Sequence, residues 1–372
     1  MIKVIFNNKN YNIDESALAP AMAALEAHLG ELDPSATAVP FTVTSSNLSK
    51  IGYTGAAGES LVIPAMFQDI DGAWYKVAAI GNGAFAMCDQ LTSITIPNTV
   101  TNIGNEAFQW CEALEMVAFE TGSQLTSIGK GAFEDCALTS IIIPDSVTSI
   151  GDYAFDSCDE LTSIIIPDGV TSIGKLTFSS CKLLNNISLG EGIVSIGERA
   201  FESCKALTNI HIPKNVTSIA TDAFSNCQSL TEISVDSGNN FYKAIDGVLY
   251  TKDGTVLVKY ASNKSATHFT IPDGVARIER DACRSCKNLT HVVIPDSVGI
   301  IDSYAFRSCE GLTSVTIGNG VTTIADGAFL DCTALTNVNY IGTEDQWNAI
   351  TIEIDNEPLT NATIHYNYQI EE

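Results

Sequence analysis

The side chains best suited to nucleophilic, redox or metal chemistry in this chain are eleven cysteines and five histidines. Thiolates attack electrophiles and bind soft metals, and neutral imidazoles ligate zinc. Neither set is spaced for that work. Cys88, Cys111, Cys136, Cys158, Cys181, Cys204, Cys227, Cys286, Cys309 and Cys332 share one slot of a recurring pattern, three residues after a Phe or, once, after Cys283. A residue tied to a repeating slot is a packing residue, and Cys is small, apolar and often buried as a free thiol. The expectation is a ladder of reduced thiols, with neighbouring rungs near enough for occasional oxidation. Cys283-Arg-Ser-Cys286 has the form of a CxxC redox or zinc motif, but no second CxxC completes a four-ligand site. It reads as a repeat whose Phe became Cys. His28, His211, His268, His291 and His365 have no second His at metal-ligand spacing. No GxSxG, HExxH, phosphate loop or GxGxxG occurs. Paired carboxylates fall in turns, where Asp is expected. The chain therefore reads as non-enzymatic, with no cofactor and no metal site.

The charge excludes further classes. There are 44 acidic and 19 basic side chains, a net charge of −25. Nucleic acid needs clustered Lys and Arg, and anionic membranes repel such a surface. No run of 18 or more apolar residues occurs, so no membrane insertion is expected. The first twenty residues lack the apolar core and cleavage site of a signal peptide. Either a leader has been removed or the protein is assembled inside a cell.

The elements that position these side chains follow from the repeat. The segment from Ile150 to Pro167, IGDYAFDSCDELTSIIIP, recurs from residue 80 to residue 338 as IGxxAFxxCxxLTSIxIPxxVTS. A period near 23 residues marks a stacked array. Side chains alternate along a strand. Leu161, Ile164 and Ile166 should therefore point inward, and Ser163 and Ile165 outward. Pro167 ends the strand, and Asp168-Gly169 makes a turn. Val170 and Ile173 point inward from a second short strand, and Gly174 permits a bend. The AFxxC segment then forms one helical or 3-10 turn that buries Phe178 and Cys181. Aligning the strand slot gives twelve rungs, from Leu61 to Val338. The expected fold class is an α+β solenoid of about 12 stacked β rungs with short helical or 3-10 turns, plus a small N-terminal hairpin-helix module. At a rung spacing of about 4.8 Å, one face should carry a single sheet about 50 Å long.

Four regions are expected. Residues 1–35 form a hairpin around Asn7-Asn8-Lys9-Asn10 and a helix to about Leu29. Leu18, Met22, Leu25, Leu29 and Leu32 make one apolar stripe, suited to folding onto the hairpin, to docking or to oligomerisation. Residues 36–90 form an N-terminal cap and first irregular rung. Residues 91–338 are the repeats, with an insertion at 236–267. There, apolar strands flank Lys252-Asp253-Gly254 in a hairpin that projects from the array or widens one face. Residues 339–372 form a C-terminal cap, with Trp347 over the last rung.

The candidate partner-binding surface is the outward row of the sheet. It comprises Met116, Ser163, Asn209 and His291 in the third strand slot, and Ile142, Ile165, Ser188, His211 and Val293 in the fifth. Met116, Ile142 and Ile165 form an apolar cluster on a polar face, suited to docking or simply to strand formation. Asp at both Ile142 and Ile165 is expected to weaken partner binding without unfolding the chain.

The pattern IGxxAFxxCxxLTSIxIPxxVTS resembles the BspA-type leucine-rich repeat, also called the Treponema pallidum type. Copies such as 150–167 and 173–190 carry the resemblance, which covers roughly residues 41–366. The DGVLYTKDGTVLVKY insertion and the closing YIGTEDQWNAI segment are also similar to features of that family. The N-terminal segment resembles short modules that precede such repeats in gut-bacterial and prophage proteins. The resemblance implies a non-enzymatic adhesion scaffold, extracellular or on the cell surface, binding a protein or glycan ligand on a host or bacterial surface. The alternative is a phage or prophage virion protein, tail or receptor-binding, made in the cytoplasm and attached through residues 1–35.

Overall fold

The computed structural model describes residues 2–6, 9–13, 39–70 and 72–369. Strands Ile2–Phe6 and Lys9–Ile13 pair antiparallel, with Phe6 opposite Lys9. The helix and apolar stripe expected at 14–35 lie outside the described residues.

From residue 39 the chain winds as a solenoid with two parallel ladders. The first carries the LTSIxI strands. Six of them, from Glu59–Val62 to Asn186–Ser188, pair in register, with Ile141 opposite Ile164 and Ile142 opposite Ile165. The second carries the short VTSI strands, such as Ser127–Ile128 against Ser149–Ile150. Burial follows the alternation. Leu161, Ile164, Ile166, Val170 and Ile173 are buried, while Ser163 and Ile165 are exposed. A lone unit has no partner for either apolar face, so stacking against both neighbours is what closes the core.

The AFxxC segments make i→i+3 turns, as in Ala154 N to Gly151 O at 3.3 Å and Cys158 N to Phe155 O at 3.2 Å. Left-handed residues at Tyr153 (φ 61°) and Ser157 (φ 57°) stop these turns from continuing as helix. Their N–H groups donate to the next rung, Tyr153 to Lys175 O at 2.9 Å and Ser157 to Ser179 O at 2.8 Å, which offsets the strain. Among the described residues, helix is confined to Ser45–Ile51, Glu344–Asn348 and Glu357–Thr360. The glycine that follows the VTSI-type strand, as at Gly104, Gly129, Gly151, Gly174 and Gly197, serves close approach rather than a left-handed bend. A Cβ at Gly129 would lie 2.5 Å from the carbonyl carbon of Gly104 in the rung before it.

One expectation about the array is corrected. The LTSIxI face is not one continuous sheet. It divides into six strands, two strands (Asn209–Ile212 and Glu232–Val235) and five strands from His268–Thr270 to Thr363–His365. Of the two forms expected for the insertion, it does not project but adds its strands to one face of the array. Its strands Tyr242–Ile245, Val248–Thr251 and Val256–Tyr260 form an antiparallel meander, and the last pairs parallel with Arg277–Ile278 in the second ladder. Asp246 (φ 50°) and Gly247 (φ 72°) make an unforeseen tight turn between the first two strands. That turn lies against the strand Glu232–Val235, with Ile233 N donating to Gly247 O at 3.3 Å, and so ends the pairing there. The apolar core divides at the same place. Leu249 and Val258 pack with the N-terminal half, and Val248, Tyr250 and Tyr260 with the C-terminal half.

The end of the array is itself a degenerate rung. Thr351–Ile352 and Thr363–His365 extend the two ladders, and Trp347 is buried edge-on to Tyr340, centroids 5.2 Å apart.

Candidate functional site

Among the described residues no group of His, Cys, Asp and Glu is arranged to hold a metal ion. The cysteines are free, and all except half-buried Cys88 are buried. Burial pushes the Cys227 thiol up to about 12 and the Cys181 thiol well above its ordinary value. Few thiolates exist near neutral pH, which is inert chemistry.

The structure brings five of the nine candidate surface residues onto one sheet. Ser140 lies opposite Met116, Ser163 opposite Ser140, and Ile165 between Ile142 and Ser188. Ile142 is 86% exposed, Ile165 70% and Met116 56%, so three large apolar side chains crowd one solvent face. Asn209 and His211 stand on the two-stranded segment beyond it. His291 and Val293 lie past the insertion, half-buried. His291 Nδ1 is 2.5 Å from Ser314 Oγ, and burial followed by the neighbouring His268 holds its pKa down. These four residues do not join the apolar cluster.

A cleft of about 550 Å³ opens beside Met116 and Ile142. Its other wall is Phe119, Glu120, Gly122, Ser123, Pro144 and Asp145, which the sequence reading did not assign. The signal was present: Glu120-Thr121-Gly122-Ser123 lengthens this rung by one residue. Gly122 takes φ 76°, and Glu120 Oε2 accepts from Asn98 N at 3.1 Å, which fixes the displaced turn. The lining carries Glu120 and Asp145 and no basic side chain. The arrangement suits an apolar side chain flanked by positive charge.

A parallel solenoid that stacks one LTSIxI strand per 23-residue turn, with its outward slots open to solvent, is a leucine-rich-repeat scaffold. The chain belongs to the BspA type leucine rich repeat family, whose model matches residues 78–183, 126–245 and 259–366. It is similar to a leucine rich cell surface protein of Faecalibacterium prausnitzii A2-165, at 37% identity over 80% of this chain and 91% of that one, TM-score 0.62. A leucine-rich repeat protein of Eubacterium ventriosum is 27% identical over 72% of this chain and 66% of that one, TM-score 0.53. The pneumococcal vaccine antigen PcpA shares the fold at 18% identity, over 90% of this chain and 92% of that one, TM-score 0.54. No curated protein sequence matches the chain. Among the described residues, no helix is long and apolar enough to cross a membrane.

Proposed function

We propose that the chain is a non-enzymatic adhesion scaffold displayed outside the cell. The Met116–Ile142–Ile165 face and its cleft dock a host or bacterial protein. The observation that carries this reading is the trio of exposed apolar side chains beside an acidic-rimmed cleft of about 550 Å³, on a sheet whose other outward residues, exposed Val62 at its first strand excepted, are small and mostly polar. The relative from Faecalibacterium prausnitzii, described as a cell surface protein, supports the location. The partner presents an apolar side chain next to Lys or Arg, which complements Glu120 and Asp145.

The test is adhesion of beads coated with the full chain to epithelial cells and to other bacteria. The double variant Ile142→Asp/Ile165→Asp should lose most of the adhesion and melt like the parent, because both side chains already face water. Raising the salt should weaken adhesion by the parent. Unchanged adhesion by the folded double variant would refute this reading.

A further inference from the structure

All but one of the chain's arginines meet in one place. Arg199, Arg280, Arg284 and Arg307 line a single cleft of about 290 Å³, while Arg277 lies outside it. In a chain of net charge −25, four guanidiniums facing the carboxylates of Glu202, Asp222 and Asp281 make this a local cluster of paired charges with a slight positive excess. It sits where the insertion interrupts the column of AFxxC turns. In the regular array each turn donates to the next, as in Phe201 N to Ala223 O at 2.8 Å. At the joint the end of the insertion takes over, with Tyr260 N donating to Ala282 O at 2.8 Å. A strand end replaces a full turn and leaves a notch. The first wall carries Arg199, Glu202, Asp222 and Ser225. The second wall carries the remaining arginines with Asp281 and Tyr304. Buried Lys259 ties the insertion to that wall, its Nζ donating to Asp281 O at 2.7 Å.

The arginines are pre-positioned but not saturated. Arg284 Nη1 donates to buried Asp281 Oδ1 at 3.1 Å. The others are held by longer ion pairs: Arg199 to Asp222 at 3.5 Å, Arg307 to Asp331 at 3.6 Å and Arg280 to Asp281 at 3.8 Å. The guanidiniums of Arg280 and Arg307 also rest on the ring of Tyr304, 5.0 and 5.4 Å from its centroid. Two polar atoms of the lining make no hydrogen bond, one of them the Arg307 Nε that faces Asp331 at 3.6 Å. The Ser225 hydroxyl, in a residue only 2% exposed, and Arg307 Nε are both buried without a hydrogen bond. Buried polar groups without partners are uncommon and point to a missing one.

We propose that this cleft binds an acidic monosaccharide unit, a hydroxylated sugar ring bearing one carboxylate. Guanidiniums take a carboxylate through paired N–H donors. Glu202 and Asp222 accept hydrogen bonds from ring hydroxyls, and Ser225 exchanges one. A bare inorganic anion would meet three carboxylates in the lining, and a neutral sugar would leave the guanidiniums unmatched. The site is separate from the protein-docking face and does not depend on it.

The test titrates the full chain with glucuronate and with N-acetylneuraminate, which distinguishes a uronic from a sialic source. Methyl glucoside and sulfate serve as comparisons. At least one acidic sugar should bind saturably, methyl glucoside should not, and sulfate should bind more weakly. Arg280→Gln/Arg307→Gln should weaken the sugar by about tenfold or more, given charge-assisted bonds of about 1.5–3 kcal/mol. Arg277→Gln, outside the cleft, should leave it unchanged. If the double variant does not fold, the Nε resonances of Arg280 and Arg307 in the parent must shift on titration. The proposal is overturned by no saturable binding of either acidic sugar or by sulfate binding as tightly as sugar. Undiminished binding by a folded double variant, or unmoved Nε resonances, would overturn it equally.

Discussion

The thiol of Cys181 donates to the backbone carbonyl of Phe155, one rung earlier, across 3.1 Å. The same bond joins Cys158 to Phe133, Cys204 to Phe178 and Cys309 to Cys283, each at 3.1 Å. The cysteine slot is thus a small apolar plug that also carries a donor. Cys181→Ala removes both contributions and should cost about 1–2 kcal/mol. Cys181→Ser keeps the donor and should cost less, as read from denaturant midpoints. In the native chain at pH 8, iodoacetamide should label Cys88 before the buried cysteines, as mass spectrometry would record.

Phe178 is buried between Phe155 and Phe201, with centroids 5.4 and 5.6 Å away and planes 4° and 6° from parallel. Phe178→Ala opens a cavity that two fixed neighbours cannot fill. It should cost about 3–5 kcal/mol. Measured by urea unfolding, a loss below about 1 kcal/mol would contradict the rigidity of this column.

Burial raises the Asp156 carboxyl to about 6, from the ordinary 3.8. The folded state therefore binds more protons than the unfolded state between these values. By linkage, this group's contribution to stability falls as pH rises from about 4 to about 6 and stays low above that. Asp156→Asn removes the penalty of a half-buried charge. It should raise stability at pH 7 by about 1–2 kcal/mol and change it little at pH 3.5. Thermal melts at the two pH values check the difference.

Asn239 anchors the start of the insertion. Its Nδ2 donates to Pro213 O at 2.9 Å and Val216 O at 3.0 Å, and its Oδ1 accepts from Phe241 N and Tyr242 N, both at 2.8 Å. Asn239→Ala strands these buried groups and should cost about 2–4 kcal/mol. Because the apolar core divides within the insertion, the loss should fall unequally on the two halves. Hydrogen exchange should quicken on the N-terminal side of the joint more than at Phe306 and Phe329.

The sequence by itself determined the rung. Leu161, Ile164, Ile166, Phe178 and Cys181 repeat because each must stack on its own copy, so spacing alone assigned them to the core and Ser163 and Ile165 to solvent. It also marked the Met116–Ile142 face, since an apolar residue in an outward slot is a local departure from a regular pattern. Tertiary structure alone decided what sits between rungs. The insertion interrupts both ladders and heads the C-terminal stretch of the second, because Gly247 reaches Ile233 and strand Val256–Tyr260 reaches Arg277–Ile278. No periodicity encodes those pairings. Asn239 and Asn356 look like turn residues in the chain, yet both are buried staples. Arg199 and Arg307 are far apart in sequence and line one notch only because the joint omits a turn between their rungs. Repetition carries local packing in the sequence itself. A break in repetition takes its meaning from residues distant in the chain, and only the fold brings those together.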